Sequence, residues 1–180
     1  MLTTPDLRKA LGSFATGVTI VTTRVAEKQF GFTANSFTSV SLSPPTVLFC
    51  IGKARASYFA FCSAASFTVN ILSASQQDLS DRFARSGDDK WQGVEFAEDA
   101  LGNAVLFGAA AAFTCRRRST IEEADHAIVL GEITDFRQYR ERTPLVYCGS
   151  RYCLPKEITP GDTFDRLAGA AGLEPATTPL

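Results

Sequence analysis

Gly31-Phe32-Thr33-Ala34-Asn35-Ser36-Phe37-Thr38-Ser39-Val40-Ser41-Leu42-Ser43-Pro44-Pro45 carries seven hydroxyl or amide side chains and no charge. It follows a β-branched run at residues 18–25, with an antiparallel return at 30–33, and precedes an apolar run at 46–51 of strand length. Loops that only face water usually mix in Lys, Glu and Asp. A neutral polar bend with small side chains lets a planar, acceptor-rich ligand come close to the backbone. The same composition also reads as a Ser/Thr-rich turn, and the residues by themselves leave both readings open.

Residues 67–72, 109–118, 127–139 and 145–154 add further strand-like runs, with turns near Glu123 and Arg142. Helices are expected from a Thr4 cap, with Pro5 behind it, to about Leu11, presenting Leu7, Ala10, Leu11 and Phe14 on one side. Others are expected over 57–62 and, capped by Ser75, over 76–85 with Leu79, Phe83 and Ala84 inward. Residues 88–103 read as polar and irregular. Strands outnumber helices and do not alternate with them. The expected fold class is therefore mainly β with a few helices, an antiparallel barrel protecting the edges of many short strands. No internal repeat is present. After Pro155 the composition shifts to Pro, Thr, Ala and Gly, so we expect a domain over 1–155 and a flexible C-terminal tail or dimer arm over 156–180.

Composition narrows the function classes. A chain of 180 residues with a formal charge of −1 suits a single core and lacks the basic footprint of a nucleic-acid binder. Arg116, Arg117 and Arg118 are the exception, and strand alternation would send the outer two to one face of a solvated strand end. The five cysteines have no Cys-x-x-Cys spacing and read as small core residues. With a single histidine and no signal-peptide pattern after Met1, they point to the reducing cytoplasm and away from structural zinc. No apolar run approaches the roughly 20 residues that span a bilayer.

Several chemistries lack their residues. No Gly-x-Gly-x-x-Gly follows a strand, no Gly-x-Ser-x-Gly elbow occurs, and the carboxylate pairs at 88–89 and 122–123 fall in turns. A cofactor carrying its own chemistry remains, and a flavin fits. The hydroxyls and backbone amides of 33–36 and 39–41 suit the polar edge of its ring. Lys53, Arg55 and Ser57, just after the 46–51 strand, are what a phosphate requires, or else a solvated loop. Arg82, beside Phe83, suits a second phosphate, the flavin edge, or an exposed helix face. His126, next to Asp125, reads as structural or as a ligand contact.

The order Leu11-Gly12-Ser13-Phe14-Ala15-Thr16-Gly17-Val18-Thr19-Ile20-Val21-Thr22-Thr23, followed by the segment from Thr33 to Pro45, resembles the flavin reductase family of two-component monooxygenases. Phe67-Thr68-Val69-Asn70-Ile71-Leu72, Leu79-Ser80-Asp81-Arg82-Phe83, Asp125-His126-Ala127-Ile128-Val129-Leu130-Gly131 and Pro144-Leu145-Val146-Tyr147 extend the likeness to residues 7–154. The resemblance implies an FMN-binding split β-barrel, Greek-key-like, that forms a homodimer. It implies oxidation of NADH or NADPH, reduction of FMN or FAD, and delivery of reduced flavin to a separate monooxygenase. Under it, Thr33, Ala34, Asn35, Ser36, Phe37, Thr38, Val40 and Ser41 line the ring and ribityl chain. Cys50, Ile51, Lys53, Arg55 and Ser57 surround the phosphate, Arg82 and Phe83 complete the pocket, and His126 and Tyr152 meet the nicotinamide, His126 as a positioning group. The family commonly has Gly where Ala124 stands, and Ala54 and Ala56 flank Arg55 in place of a hydroxyl-rich run. A reductase that retains its flavin and serves a corrinoid or ferric complex, and a non-catalytic flavin carrier, are the alternatives.

Overall fold

The computed structural model describes residues 3–87 and 89–157, so nearly all of the expected tail, 158–180, lies outside the described residues. The elements in chain order are α1 (Thr4–Leu11), β1 (Thr16–Gly17), β2 (Thr19–Val25), β3 (Lys28–Ala34), β4 (Thr38–Leu42), β5 (Pro45–Gly52), α2 (Tyr58–Ser63), β6 (Ser66–Ile71), α3 (Gln77–Ala84), β7 (Phe96–Glu98), β8 (Ala104–Leu106), β9 (Ala111–Glu123), β10 (His126–Gln138), β11 (Val146–Cys148) and β12 (Arg151–Cys153). Seven strands form one antiparallel sheet in the order β3-β2-β6-β9-β10-β5-β4. The non-sequential neighbours β2–β6 and β10–β5 supply the crossed, Greek-key-like connections.

The sheet rolls up without closing. Strands β3 and β5 are five places apart in the ladder, yet the rings of Phe32 and Phe49 lie 5.8 Å from one another. Phe61 of α2 meets Phe32 edge-on at 4.9 Å, and Phe67 meets Phe49 in the same way at 4.9 Å. These four buried rings, with Val21, Val47, Ile51, Val69 and Val129, fill the inside of the roll. Among the described residues no ladder joins β3 to β4, and the barrel is split there. Two register shifts in the β9–β10 hairpin, at Leu130/Gly131 and Ile133/Asp135, bend those long strands around the core.

β2 is buried on both faces because a second cluster lies behind it. Val21 faces the phenylalanines, whereas Ile20 joins Leu72, Phe83, Leu106 and Leu145, with Trp91 and Tyr152 packed against them. Its buried threonine hydroxyls are satisfied by carbonyls. Thr19 donates to Ala34 O at 2.7 Å, Thr22 to Ala104 O at 2.6 Å and Thr23 to Ser66 O at 2.7 Å.

Several expectations change. Residues 38–42 form the edge strand β4 rather than part of a bend. The α1 cap is Thr3, whose Oγ1 accepts from the Asp6 amide at 3.4 Å, and the apolar side of α1 forms but buries nothing. Ser73 and Gln76, not Ser75, make the capping box ahead of α3. Residues 145–154 divide into β11 and β12 at Gly149 and Ser150, both with positive φ. Among the cysteines, Cys115 is fully buried and Cys153 is exposed, so the expectation of core cysteines holds in part only. Among the described residues no helix is long and apolar enough to cross a membrane.

Candidate functional site

The split places the uncharged segment against the exit of β5. Ser36 follows β3, and its Oγ accepts from the Cys50 amide at 2.9 Å and donates to the Cys50 carbonyl at 3.2 Å. One hydroxyl thus replaces the missing strand pairing at this point. Phe37 stacks on Phe113 at 6.0 Å and anchors the far side of the bend, while Asn35, Thr38 and Val40 are exposed and Ser41 is half-buried. Ala34 and Ile51 are buried, so their side chains belong to the core and only their backbones adjoin the bend. On the other side Thr33 Oγ1 donates to the Ser80 carbonyl of α3 at 2.6 Å.

Beyond Gly52 the chain turns into a cleft of ≈ 330 Å³ along the outer edge of β3. Arg55 and Ser57 line it from the β5 exit, Lys28 and Gly31 from β3, and Arg85, Lys90 and Trp91 from the segment after α3. The Arg55 guanidinium lies 5.2 Å over the Phe32 ring and donates to the Ala84 carbonyl at 3.5 Å. Burial moves its pKa below the usual arginine value, leaving a cation already in place at neutral pH. Gly31 forms part of the floor because a Cβ there would fall 2.6 Å from the Phe83 ring.

Other expected phosphate contacts point elsewhere. Lys53 pairs with Glu122 at 2.9 Å, and this ammonium holds the carboxyl below its ordinary range. Tyr58 donates to the same carboxylate at 3.3 Å, and burial pushes its phenol up to about 12. Arg82 donates to the Gln92 carbonyl at 2.9 Å. Phe83 is fully buried against Trp91 and supports the cleft floor from beneath. Lys28, Arg85, Lys90 and Trp91 escaped sequence reasoning: they come from distant, irregular stretches, and no spacing links them.

His126 and Tyr152 stand on different elements. His126 opens β10 opposite Gly52, where a Cβ would lie 3.5 Å from its Nε2. Its Nδ1 is 2.8 Å from Asp125 Oδ1, and this hydrogen bond holds the Asp125 carboxyl below the ordinary range. Tyr152 donates to Asp81 Oδ1 at 2.7 Å, and its hydroxyl oxygen lies 2.9 Å from Ser80 Oγ, which ties it through Ser80 to Thr33. Tyr152 thus reaches Thr33 through Ser80, whereas His126 lies against Gly52, two residues beyond the Cys50 that Ser36 holds.

The turn before His126 places Ala124 at φ 48°, where an L side chain is strained. Ala124→Gly relieves about 1 kcal/mol of strain and is offset by about 0.5 kcal/mol of lost chain freedom. The urea midpoint is therefore expected to rise slightly at unchanged slope. A lower midpoint would contradict this account of the turn.

Comparisons with known proteins agree on one family. A family model described as a flavin reductase like domain matches residues 11–155. The reductase component of the flavin-dependent trigonelline monooxygenase of Acinetobacter baylyi is 42% identical over 132 residues, 73% of this chain and 43% of that protein. The chain spans about half the length of the curated relatives it matches. Among solved structures, nitrilotriacetate monooxygenase component B of Mycobacterium thermoresistibile has a TM-score of 0.82 at 34% identity, covering 91% of this chain and 93% of that one. The NADH:FAD oxidoreductase SgcE6 of Streptomyces globisporus, in complex with NAD and FAD fragments, has a TM-score of 0.79 at 34% identity, covering 89% and 98%.

Proposed function

Because the chain belongs to the flavin reductase like family, we propose that it oxidises NADH or NADPH, reduces FMN or FAD, and supplies the reduced flavin to a separate monooxygenase. The observation that carries the reading is the pairing of an uncharged, hydroxyl-rich segment, tied to Cys50 by Ser36, with a cationic cleft that begins at Arg55. This donor set fits a flavin: neutral donors for the ring edge, and a guanidinium and a hydroxyl for the phosphate. When bound, the flavin supplies the hydride-accepting chemistry.

The chain's own contribution is alignment. Ser36 holds the segment at a fixed height above the β5 exit, and the buried Phe32 face positions Arg55 to hold the phosphate. Asp125 orients the His126 ring through Nδ1, leaving Nε2 to position the nicotinamide carboxamide. Tyr152, held by Asp81, bounds the other side. A homodimer is supported by the uncharged edge strand β4, where Leu42 is 91% exposed, and by the exposed ring of Phe136 on β10, which stacks on Phe113. Five free cysteines suit a cytoplasmic protein.

Anaerobic mixing of the flavin-loaded protein with NADH tests the reading. Bleaching of the oxidised flavin band is expected within each turnover, with His126→Ala raising the KM for NADH more than it lowers kcat. No bleaching would leave a carrier and sink the enzymatic reading. Sedimentation of the same loaded protein at twice the single-chain mass checks the dimer.

A further inference from the structure

We propose that Tyr58, Glu122 and Lys53 form a clamp on the tip of the β9–β10 hairpin, and that Lys53 and Glu122 are positioning residues for His126; this rests on the reading above, in which His126 meets the nicotinamide. The tip needs such a hold. β6 pairs with β9 only as far as Arg116, so beyond that point the hairpin has β5 as its one ladder neighbour, and β5 ends at Gly52, opposite His126. The turn itself has two residues, and Ala124 stands there at φ 48°, which an L side chain adopts only at a cost.

Three elements close on one carboxylate. The Lys53 ammonium, from the exit of β5, meets Glu122 Oε2 at 2.9 Å, and the Tyr58 hydroxyl of α2 donates to Glu122 Oε1 at 3.3 Å. Tyr58 is buried within the phenylalanine core, so the carboxylate is moored to the interior as well as to a surface side chain. Glu122 lies opposite Ala127, next to His126 on β10. The Lys53 amide also donates to the Asp125 carbonyl at 2.8 Å, which fixes the residue whose carboxylate orients the imidazole. Lys53 is thus the cation set against both Glu122 and Asp125. A lysine engaged in this way serves the hairpin and not the phosphate.

The test compares Lys53→Met and Glu122→Gln, each in the full chain, with the exchanged pair Lys53→Glu and Glu122→Lys, in which the ion pair is reversed and the Tyr58 oxygen can accept from the new ammonium. Circular dichroism and a melting curve confirm the fold of each. In both single variants the KM for NADH is expected to rise on the order of two- to fivefold, the worth of an exposed ion pair, while kcat falls by less. The dissociation constant for FMN should hold, and the exchanged pair should recover the KM. Because the chain has a single histidine, one imidazole proton signal in the NMR spectrum reports the tip without turnover. That signal is expected to move in both single variants and to return in the exchanged pair. An unmoved signal overturns the clamp, and so does an exchanged pair as impaired as the single variants. A rise in the FMN dissociation constant that matches the rise in KM also overturns it, since Lys53 would then serve the phosphate. If His126→Ala leaves the KM for NADH unchanged, the nicotinamide reading fails, whereas the imidazole signal still decides the clamp.

Discussion

Replacing Arg55 by alanine is expected to raise the dissociation constant for FMN on the order of 10- to 100-fold, while the protein keeps its melting temperature to within a few degrees. The size follows from losing a hydrogen bond to a charged group, about 1.5–3 kcal/mol, in a site where the cation is already held. Phe32 lies 5.2 Å beneath the guanidinium and the Ala84 carbonyl takes one of its N–H groups, so little side-chain freedom is lost on binding. Arg55→Lys should recover only part of the affinity, because an ammonium lacks the planar face that rests on the ring. Riboflavin, which has no phosphate, is expected to lose less than FMN. Fluorescence titration of the two flavins decides the matter, and equal losses would show that Arg55 does not serve the phosphate.

The second large effect concerns the curvature that creates the site. Gly131 sits at a register shift of β10, and a Cβ there would overlap the Phe67 ring at Cζ and lie 3.1 Å from Cys115 Cβ. Phe67 cannot swing aside, since Phe49 meets it edge-on at 4.9 Å within the four-ring core. Gly131→Ala is therefore expected to destabilise the fold by about 1–3 kcal/mol through overpacking. At about 2–4 °C per kcal/mol for a chain of this size, calorimetry should resolve the drop. Adding Phe67→Leu supplies the control. In the Gly131→Ala background it should cost less than alone, with a coupling of about 0.5–3 kcal/mol. Strict additivity would mean that the ring is not what the new methyl group meets.

How far the sequence foretold this site depends on what each residue's signal measures. Residues 18–25 and 30–33 read correctly as a hairpin because β-branched residues mark strands whatever their partners. β4 escaped because an edge strand with one exposed face and polar side chains shows no alternating burial, and Thr38-Ser39-Val40-Ser41 reads as a loop. The bend at Ser36 and the cation at Arg55 were legible because each sits within a few residues of a strand end. Arg82 and Phe83 were placed on the right helix, and Phe83 faces inward as expected, whereas Ala84, also expected inward, is exposed and Arg82 turns toward Gln92. Lys28, Lys90 and Trp91 converge only through the rolling of the sheet, which no local pattern encodes.

The incomplete barrel separates two kinds of evolutionary freedom. The phenylalanine interior is supplied by β3, β5, α2 and β6, whereas the rim beside β3 is completed by residues 53–57 and 85–91, which place no side chain in that interior. Insertions or exchanges in those two segments can therefore diversify what the mouth admits without unsettling the scaffold. A lineage built on this frame is free to change its guest by rewriting a dozen or so border residues, as a lock is rekeyed without replacing the door.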